Sequence, residues 1–434
     1  MQKKQKGLVW FRNDLRVNDN QSLTRAINEN ELVIAVYCFD PRHFENTKFG
    51  FKKTEKFRAK FLIETIKELR QNLAKLNISL LVHHQKPENC LSTICDEYDI
   101  NIIYSQEEWT SEEREVFESV KANVSNLIKF ETTYNQFLFH PKDIPFELNT
   151  IPNVFTQFRN KCEKYSKVQT EFTVKLMSKG NLQENNTTIP TLNILGLVEV
   201  EVDSRTAFPF KGGENQALKR MENYFWETEK LSVYKLTRNG LIGADFSSKF
   251  SPWLANGSIS AKTIYWEIQK YEQQVQKNDS TYWLIFELIW RDYFKYVSLK
   301  NGNSIFKLGG ILDKEYDWKS GKAAIESWIN GTTAEPFVNA NMIELQQTGW
   351  MSNRGRQNVG SFFAKNLFLD WRIGAAYFES LLIDYDVHSN YGNWMYVSGV
   401  GNDPRDRKFN IKLQAENYDG QSKFQKLWLQ QKLF

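Results

Sequence analysis

Residues 31–85 contain the pattern that decides the fold of the N-terminal part of the chain. The apolar run ELVIAVYCFD (31–40) precedes the stretch KTEKFRAKFLIETIKELRQNLAKL (53–76), and a second apolar run, ISLLVHHQ (78–85), follows it. The longer stretch has apolar residues at i, i+3 and i+4 spacing, as in an amphipathic helix, and the two short runs are typical of strands. Strand, helix and strand in this order predict a βαβ unit.

The same alternation covers residues 1–135. Further strand-like runs lie at 7–14 (GLVWFRND), 101–108 (NIIYSQEE) and 126–135 (NLIKFETTYN). Five strands that alternate with helices predict a five-stranded parallel sheet with helices on both faces, a Rossmann-like α/β domain. No G-x-G-x-x-G follows any of these strands, so the usual dinucleotide fingerprint is absent from the sequence.

The pattern changes twice further along the chain. Residues 136–207 contain four prolines and the polar run SKGNLQENNTT, which predict an interdomain connector with one helix at VFTQFRNKCEKY. After Pro209 strand signals almost vanish, and amphipathic segments such as SAKTIYWEIQKYEQQ and STYWLIFELIWRDYFKYVSL follow one another. Residues 208–434 are therefore predicted to form the larger, all-helical domain.

Composition narrows the class of protein. The 434 residues are enough for two or three domains, and the balance of 56 basic and 52 acidic residues allows a nucleic-acid partner without arguing for one. The four cysteines form no C-x-x-C pair, which favours reduced thiols in the cytoplasm, and none after Cys162 is present to hold an iron–sulfur cluster. With no signal peptide and no long apolar run, we expect a soluble, cytoplasmic protein.

Tryptophan is unevenly distributed. Of the 13 tryptophans, 11 lie after residue 200. A large helical core could use them for packing, or they could stack on a planar ligand and carry electrons. The stretch DYDVHSNYGNW (384–394) combines acids, amides and tryptophan without an apolar period of 2 or 3.6, which indicates a ligand site rather than a buried face.

Three further stretches carry candidate chemistry. In WLIFELIWRDYFKY, one helix face presents Trp283, Glu287, Trp290 and Arg291, which predicts either a surface ion pair or a cavity wall with stacking surfaces and a placed acid. The segment from Ser247 to Ser251 precedes a helix start and predicts either an anion site or ordinary N-capping.

The third stretch is TGWMSNRGRQ. Two arginines two residues apart near a helix N-terminus are unfavourable for the helix dipole, so we expect an anionic partner, which is either Asp384 or a ligand.

Together these stretches resemble the photolyase/cryptochrome family and, within it, the cryptochrome DASH branch. The resemblance extends from VWFRNDLRVNDN (9–20) to GVGNDPRDRKFN (399–410) and is densest in WRDYF, PFVNANMIELQQTGWMSNRGRQ and DYDVHSNYGNW. It implies an α/β antenna domain and a helical domain that holds FAD in a U-shaped conformation, with no metal. The resemblance also implies that the partner is DNA, that the protein is a monomer and that it does not associate with a membrane.

The resemblance also assigns residues to the cofactor. Tyr234 and Ser247–Ser251 should hold the pyrophosphate, the Arg356–Asp384 ion pair should lie beside the isoalloxazine ring, and Asn390 should lie at flavin N5. The full implied FAD set is Tyr234, Ser247, Ser248, Lys249, Phe250, Ser251, Arg291, Arg356, Asp384, Tyr385, Asp386 and Asn390. In photolyases and DASH proteins the N5 position is an asparagine, which supports the fully reduced, anionic flavin that repair requires.

Electron supply is implied for three tryptophans. Trp394, Trp371 and Trp318 match the family's chain of tryptophans from the flavin to the surface. Their alternative role is that of three core aromatics. The contexts LDWRIG and YGNW favour the electron chain.

The implied reaction is blue-light-driven repair of cyclobutane pyrimidine dimers by electron transfer from excited reduced FAD. Glu287 should hydrogen-bond the dimer, and the DNA-contacting set is Trp283, Glu287, Trp290, Asn353, Arg354, Gln357 and Tyr396. Gln357 and Tyr396 stand where double-strand photolyases have Met and Trp. Both make the pocket more polar, which predicts a preference for single-stranded DNA.

A second chromophore and a second function remain open. Glu108, after the fourth strand, is the best match to the acid that binds a methenyltetrahydrofolate antenna, although TSEE (110–113) is also a helix-capping pattern. The alternative function is a blue-light photoreceptor that binds DNA without efficient repair.

Overall fold

The N-terminal part of the chain is built around one parallel sheet. The computed structural model describes residues 5–403 and 405–430. The strands are β1 (Lys6–Trp10), β2 (Leu32–Cys38), β3 (Leu80–His83), β4 (Ile102–Gln106) and β5 (Lys129–Thr133). All neighbours pair in parallel, in the order β3-β2-β1-β4-β5. The predicted five-stranded parallel sheet is confirmed.

Four helices connect the strands, as the alternation predicts. They are α1 (Gln21–Glu29), α2 (Lys56–Ala74), α3 (Pro87–Tyr98) and α4 (Ser111–Asn123). Helix α1 begins where the Asn20 side chain accepts a hydrogen bond from the Leu23 amide. Thr110 is the N-cap residue of α4, but its side chain makes no capping hydrogen bond. Strands β1 to β4 bury near-continuous apolar runs because helices cover both faces of the sheet, whereas the edge strand β5 is more exposed.

The strand order places one edge of the sheet at a ligand crevice. The chain turns from β1 towards β2 and later crosses back to β4, so the switch point lies between β1 and β4. In open α/β sheets, ligands bind at such a point, beyond the carboxyl ends of the strands. Asn13 and Glu108 follow β1 and β4 there, and Asn13 Nδ2 donates to Glu108 Oε1 at 3.2 Å.

Residues 134–213 connect the sheet to the helices. They contain helix α5 (Phe155–Tyr165), close to its predicted position, and long extended stretches. Part of this segment packs on the α/β domain, since Met177, Leu192, Leu195 and Leu197 are buried in its core. The limits 1–135, 136–207 and 208–434 stay a prediction.

The remainder of the described chain is helical, as predicted. Its helices are α6 (Glu214–Glu222), α7 (Tyr234–Thr237), α8 (Ser251–Ala255), α9 (Ala261–Gln274), α10 (Asp279–Asn301), α11 (Lys322–Ile329), α12 (Pro336–Thr348), α13 (Asn353–Ser361), α14 (Trp371–Leu381), α15 (Val387–Ser398), α16 (Ile411–Asp419) and α17 (Lys423–Leu429). Helix α10 begins with a capping box formed by Asn278 and Thr281, and it packs against α5, α7, α9 and α15. The contact between α10 and α15 positions the site.

Candidate functional site

Two neighbouring cavities lie around the N-terminal end of α15. The larger, about 750 Å³, lies between the α/β domain and the helical domain, and the smaller, about 70 Å³, lies within the helical domain. Tyr385 and Asp386 line both cavities. The DYDVHSNYGNW stretch therefore forms the wall between two spaces, which accounts for its lack of a regular apolar period.

Asp386 lines both cavities and caps the start of α15. It is the N-cap residue of α15, accepting from the Ser389 amide at 2.8 Å, and it also accepts from Lys295 Nζ at 2.9 Å. Burial acts to raise the pKa of Asp386, but Lys295, His388 and Arg291 outweigh it and lower that pKa. The carboxylate is thus ionised and fixed in place. Tyr385 beside it lies under the Arg58 guanidinium, 4.8 Å from the ring centre.

Arg356 and Asp384 form an ion pair at the smaller cavity. Arg356 Nη2 lies 2.9 Å from Asp384 Oδ2, and Arg356 Nε donates to the Met351 carbonyl. The side chain of Asp384 is 2% exposed, and its Oδ1 is buried without a hydrogen-bond partner among the described residues. Asp384 also lines the smaller cavity. The pair also offsets the charge of Arg356 in the first turns of α13.

Asn390 and Trp394 line the same cavity from α15. The two positions are four residues apart, so they share one face of the helix. Asn390 Nδ2 donates to the Ala375 carbonyl at 3.0 Å, which leaves the amide oxygen for the cavity. Trp394 is buried against Phe363 and Phe378 in edge-on contacts.

The Ser247–Ser251 turn and this ion pair both approach Trp350, through Lys249 and Arg356. Arg220 donates to the carbonyls of Ser247 and Ser248 and so holds the turn. Lys249 adopts a left-handed φ of 64° and is 2% exposed, with Nζ 4.6 Å from the centre of the Trp350 ring. Neither cavity is lined by this turn or by the buried Tyr234, so those predicted contacts stay a prediction.

Lys249 and Glu344 are two buried ionisable side chains that act on each other electrostatically. Lys249 Nζ and Glu344 Oε2 are both buried and without a hydrogen bond among the described residues. Burial lowers the pKa of Lys249 and raises that of Glu344 to about 8, against the opposing effects of Lys249 and Arg356 on the latter. An unpartnered buried lysine Nζ is suited to an anionic ligand, whose charge would oppose the effect of burial on its pKa, and this fits a diphosphate near the Arg356–Asp384 pair.

Helix α10 presents Trp283, Glu287 and Trp290 as half-buried side chains on one face. Glu287 makes an ion pair with Arg238, and burial raises its pKa although Arg238 acts to lower it. Arg291 on the same face turns to the larger cavity and donates to the Leu254 carbonyl at 3.0 Å. Trp283, Glu287 and Trp290 line neither cavity, and Glu287 forms its ion pair with Arg238 instead of Arg291. The cavity wall predicted for this face stays a prediction.

Residues expected at the DNA lie next to those expected at the flavin. Asn353 and Gln357 line the smaller cavity together with Asp384, Asn390 and Trp394. Outside the cavity, Arg354 Nη1 donates to Gln357 Oε1 at 3.0 Å. The Tyr396 ring packs edge-on against Trp290, with centroids 6.2 Å apart.

Of the three predicted chain tryptophans, two are buried and the outermost, Trp318, is half-buried. Trp394 and Trp371 are buried, and Trp371 Nε1 donates to the Leu308 carbonyl. Trp318 is half-buried and lies beside the start of α14, because Lys319 bridges to Leu369. Trp328, which sequence reasoning did not single out, contacts Trp394 edge-on at 6.2 Å.

Glu108 belongs to the larger cavity. It is buried, and its Oε1 accepts from Gln106 Nε2 at 2.9 Å. Asp386, Arg291 and Lys295 line the cavity from the helical side. His388 stacks on Trp109 with centroids 4.5 Å apart, which joins the loop after β4 to α15.

Besides Trp328 and Arg220, sequence reasoning missed Arg238, Lys295, Glu344 and Trp350. Lys295 was detectable, since it continues the i, i+4 series of Glu287 and Arg291. The other three act across long sequence separations and carry no local signal. Among the described residues, no helix is long and apolar enough to cross a membrane, and the four cysteines are free and buried.

Comparison with known proteins agrees with this architecture. The family model described as DNA photolyase matches residues 7–175, and the model described as the FAD binding domain of DNA photolyase matches residues 283–432. A protein of Gloeobacter violaceus named Cryptochrome DASH is 46% identical over 424 residues, which are 97% of this chain and 85% of the relative.

Solved structures give the same result. A Synechocystis sp. cryptochrome superposes with a TM-score of 0.93 at 44% identity, covering 99% of this chain and 89% of that one. An archaeal photolyase from Sulfolobus tokodaii, described as holding two FAD molecules, has a TM-score of 0.79 at 26% identity and covers 98% of this chain and 90% of its own. The chain belongs to the photolyase/cryptochrome family, in its cryptochrome DASH branch.

Proposed function

We propose that this protein is a FAD-dependent, blue-light-driven photolyase that repairs cyclobutane pyrimidine dimers and prefers single-stranded DNA. One observation carries the proposal: Asn353 and Gln357, expected to meet the dimer, line the same cavity as Asn390 and Asp384, expected to meet the flavin. Residues expected at the lesion and at the flavin therefore lie side by side, which supports direct electron transfer between the two ligands. When bound, reduced FAD supplies the light-driven electron and receives it back.

The chain's own residues hold and tune the cofactor. Lys249 and the turn around it neutralise the diphosphate, and Arg356–Asp384 flanks the ring system. The Nδ2 group of Asn390 is engaged by the Ala375 carbonyl, so its amide oxygen would be the group available to accept a hydrogen bond from the reduced ring. This acceptor favours the reduced form of the flavin.

The α10 face receives the lesion. Trp283 and Trp290 offer flat apolar surfaces for the two linked bases, which stack without a duplex around them. Burial raises the pKa of Glu287 while Arg238 acts to lower it, and the carboxyl group is positioned to hydrogen-bond the linked bases. Arg238, paired to Glu287, is placed to meet the phosphate next to the lesion.

The preference for single strands follows from the cost of extruding the lesion. Removing a dimer from a duplex costs a few kcal/mol, and a single strand avoids most of that cost. Gln357 and Tyr396 are polar groups at the pocket, and both make hydrogen bonds to arginines, Arg354 and Arg407. Such groups compensate less for lost base stacking than apolar side chains do.

Electron supply and light harvesting complete the proposal. Trp394, Trp371 and Trp318 pass electrons inward from the half-buried end at Trp318 to reduce the flavin. The larger cavity takes a methenyltetrahydrofolate antenna, whose pterin N–H groups meet the Glu108 carboxylate. The monomeric state and the cytoplasmic location are part of the same proposal.

The decisive test is repair of one cyclobutane dimer by the photoreduced protein, in a single strand and in a duplex. We expect repair mainly of the single strand. Glu287→Gln should lower the single-strand rate about 10- to 100-fold, because a hydrogen bond to a charged or proton-carrying group contributes about 1.5–3 kcal/mol.

A second pair of variants tests the Trp290 surface, with an exposed tryptophan as its control. Trp290→Phe should weaken single-strand binding, whereas Trp266→Phe, at an exposed tryptophan on α9, should leave it unchanged. Absence of repair in either DNA, with reduced FAD present, would refute the enzyme and favour the blue-light photoreceptor.

A further inference from the structure

Tyr316 lies in contact with the outermost of the three chain tryptophans. Its ring centroid is 5.2 Å from that of Trp318, with the two planes at 56°. Both rings are half-buried. Aromatic rings at this separation are in direct contact, so an electron can pass from one to the other without an intervening group.

The Tyr316 hydroxyl is bonded to a base. It donates to Asp406 Oδ2 at 2.8 Å, and Asp406 Oδ1 accepts from Lys365 Nζ at 2.6 Å. Burial acts to raise the pKa of Asp406, but the hydrogen bonds from Lys365 and Tyr316 lower it, so the carboxylate is ionised. Asp406 also has a left-handed φ of 44°, a strained conformation that the surrounding contacts must maintain.

Lys365 decides how Tyr316 can be oxidised. Its Nζ lies 4.5 Å from the centre of the Tyr316 ring. A cation at that distance opposes the formation of a positive charge on the ring. Loss of an electron is therefore favourable only if the phenolic proton leaves at the same time, and Asp406 is hydrogen-bonded to receive it.

We propose that Tyr316 is the terminal electron donor of this protein, and this step rests on the tryptophan chain of the proposed function. Trp318, oxidised by one electron after the light-excited oxidised flavin has drawn an electron through the chain, takes an electron from Tyr316. The Tyr316 O–H bond breaks, its proton joins the Asp406 carboxylate, and the products are neutral Trp318, a neutral tyrosyl radical and a protonated Asp406.

The surroundings make this step hard to reverse. The radical left on Tyr316 carries no charge, so Lys365 no longer opposes it. The side chain of Asp406 is 38% exposed and can pass its proton to water. Burial and the Asp406 hydrogen bond raise the pKa of Tyr316 to about 12, so the phenol keeps its proton until it is oxidised.

The test uses the FAD-loaded protein with oxidised flavin, illuminated and examined by electron paramagnetic resonance with ring-deuterated tyrosine. We expect a tyrosyl signal in the wild type and complete loss of it in Tyr316→Phe, with the tryptophanyl signal retained. Tyr165→Phe, at an exposed tyrosine at the end of α5, is the matched control and should keep the tyrosyl signal. Asp406→Asn should reduce the tyrosyl signal, and deuterium oxide should slow its appearance.

Trp318→Phe separates the two proposals. If it loses both radical signals while Tyr316→Phe matches the wild type, the tyrosine step is wrong and the tryptophan chain stands. If Trp318→Phe leaves both signals unchanged, the electron route itself is wrong, and the role of Tyr316 falls with it. A tyrosyl signal that persists in Tyr316→Phe also overturns the proposal.

Discussion

The ion pair between Lys295 and Asp386 provides a quantitative prediction. Both side chains are largely buried, at 4% and 11% exposure, and their charged atoms are 2.9 Å apart. Replacing Lys295 by Met keeps a side chain of similar length and removes the charge. Asp386 then remains at the N-cap of α15, between the two cavities, without its ammonium partner.

The magnitude follows from the distance and the burial. At 2.9 Å the attraction is about 6 kcal/mol with an effective dielectric constant of about 20. Desolvation offsets part of this value, and removing one partner of a buried pair typically costs about 3–5 kcal/mol. We therefore expect Lys295→Met to lower the free energy of unfolding by about 3–5 kcal/mol.

Urea unfolding followed by circular dichroism measures this change, and an exposed ion pair between α7 and α10 serves as a control. Lys235 and Asp279 are 2.8 Å apart but exposed, at 37% and 84%. Lys235→Met should cost less than about 1 kcal/mol, because exposed pairs contribute little. The double variant Lys295→Met/Asp386→Asn should recover part of the loss, since it removes the unpaired charge.

The pH dependence checks the cause. The pKa of Asp386 is lowered in the folded protein, so the stability that it contributes is present above its unfolded pKa and is lost as the pH falls through the lower, folded value. In Lys295→Met this acid-side loss should be smaller, because the folded pKa rises. A cost below about 1 kcal/mol, or full additivity of the two substitutions, would refute the reasoning.

Three further predictions concern Glu344, the strand preference and the tryptophan chain. The pKa of Glu344 is raised from 4.5 to about 8 in the folded protein, which therefore binds more protons than the unfolded chain between these pH values. The free energy of unfolding then falls as the pH rises through this range. Glu344→Gln should make the urea midpoint of FAD-free protein less dependent on pH over the same range. Gln357→Met combined with Tyr396→Trp should raise the ratio of duplex to single-strand repair, and an unchanged ratio would contradict our account of strand preference. Trp371→Phe should stop light-driven flavin reduction while leaving the flavin absorbance, measured before illumination, at the wild-type level.

Much of the fold could be predicted from the sequence, because the patterns that predict each helix or strand lie within that element. The βαβ pattern at 31–85 depends on side-chain periods within single elements, and the sheet and the helical remainder agree with it. The ends of the elements were predicted less accurately. The strand predicted at 7–14 is observed only at Lys6–Trp10. The residues that follow leave the sheet and make contacts with the helical domain. Buried Arg16 bonds to the Gly257 carbonyl there.

What the sequence alone determined about this protein is its family, the order of its elements and the residue types in the flavin motif. The pairing of polar side chains was decided by the tertiary structure. It pairs Glu287 with Arg238 instead of Arg291, Asp386 with Lys295, and Tyr316 with Asp406. Each pair joins residues 49 or more positions apart. A periodic pattern reports which face of a helix is buried, but the partner of a buried charge depends on how separate elements pack, and that is a property of the folded chain.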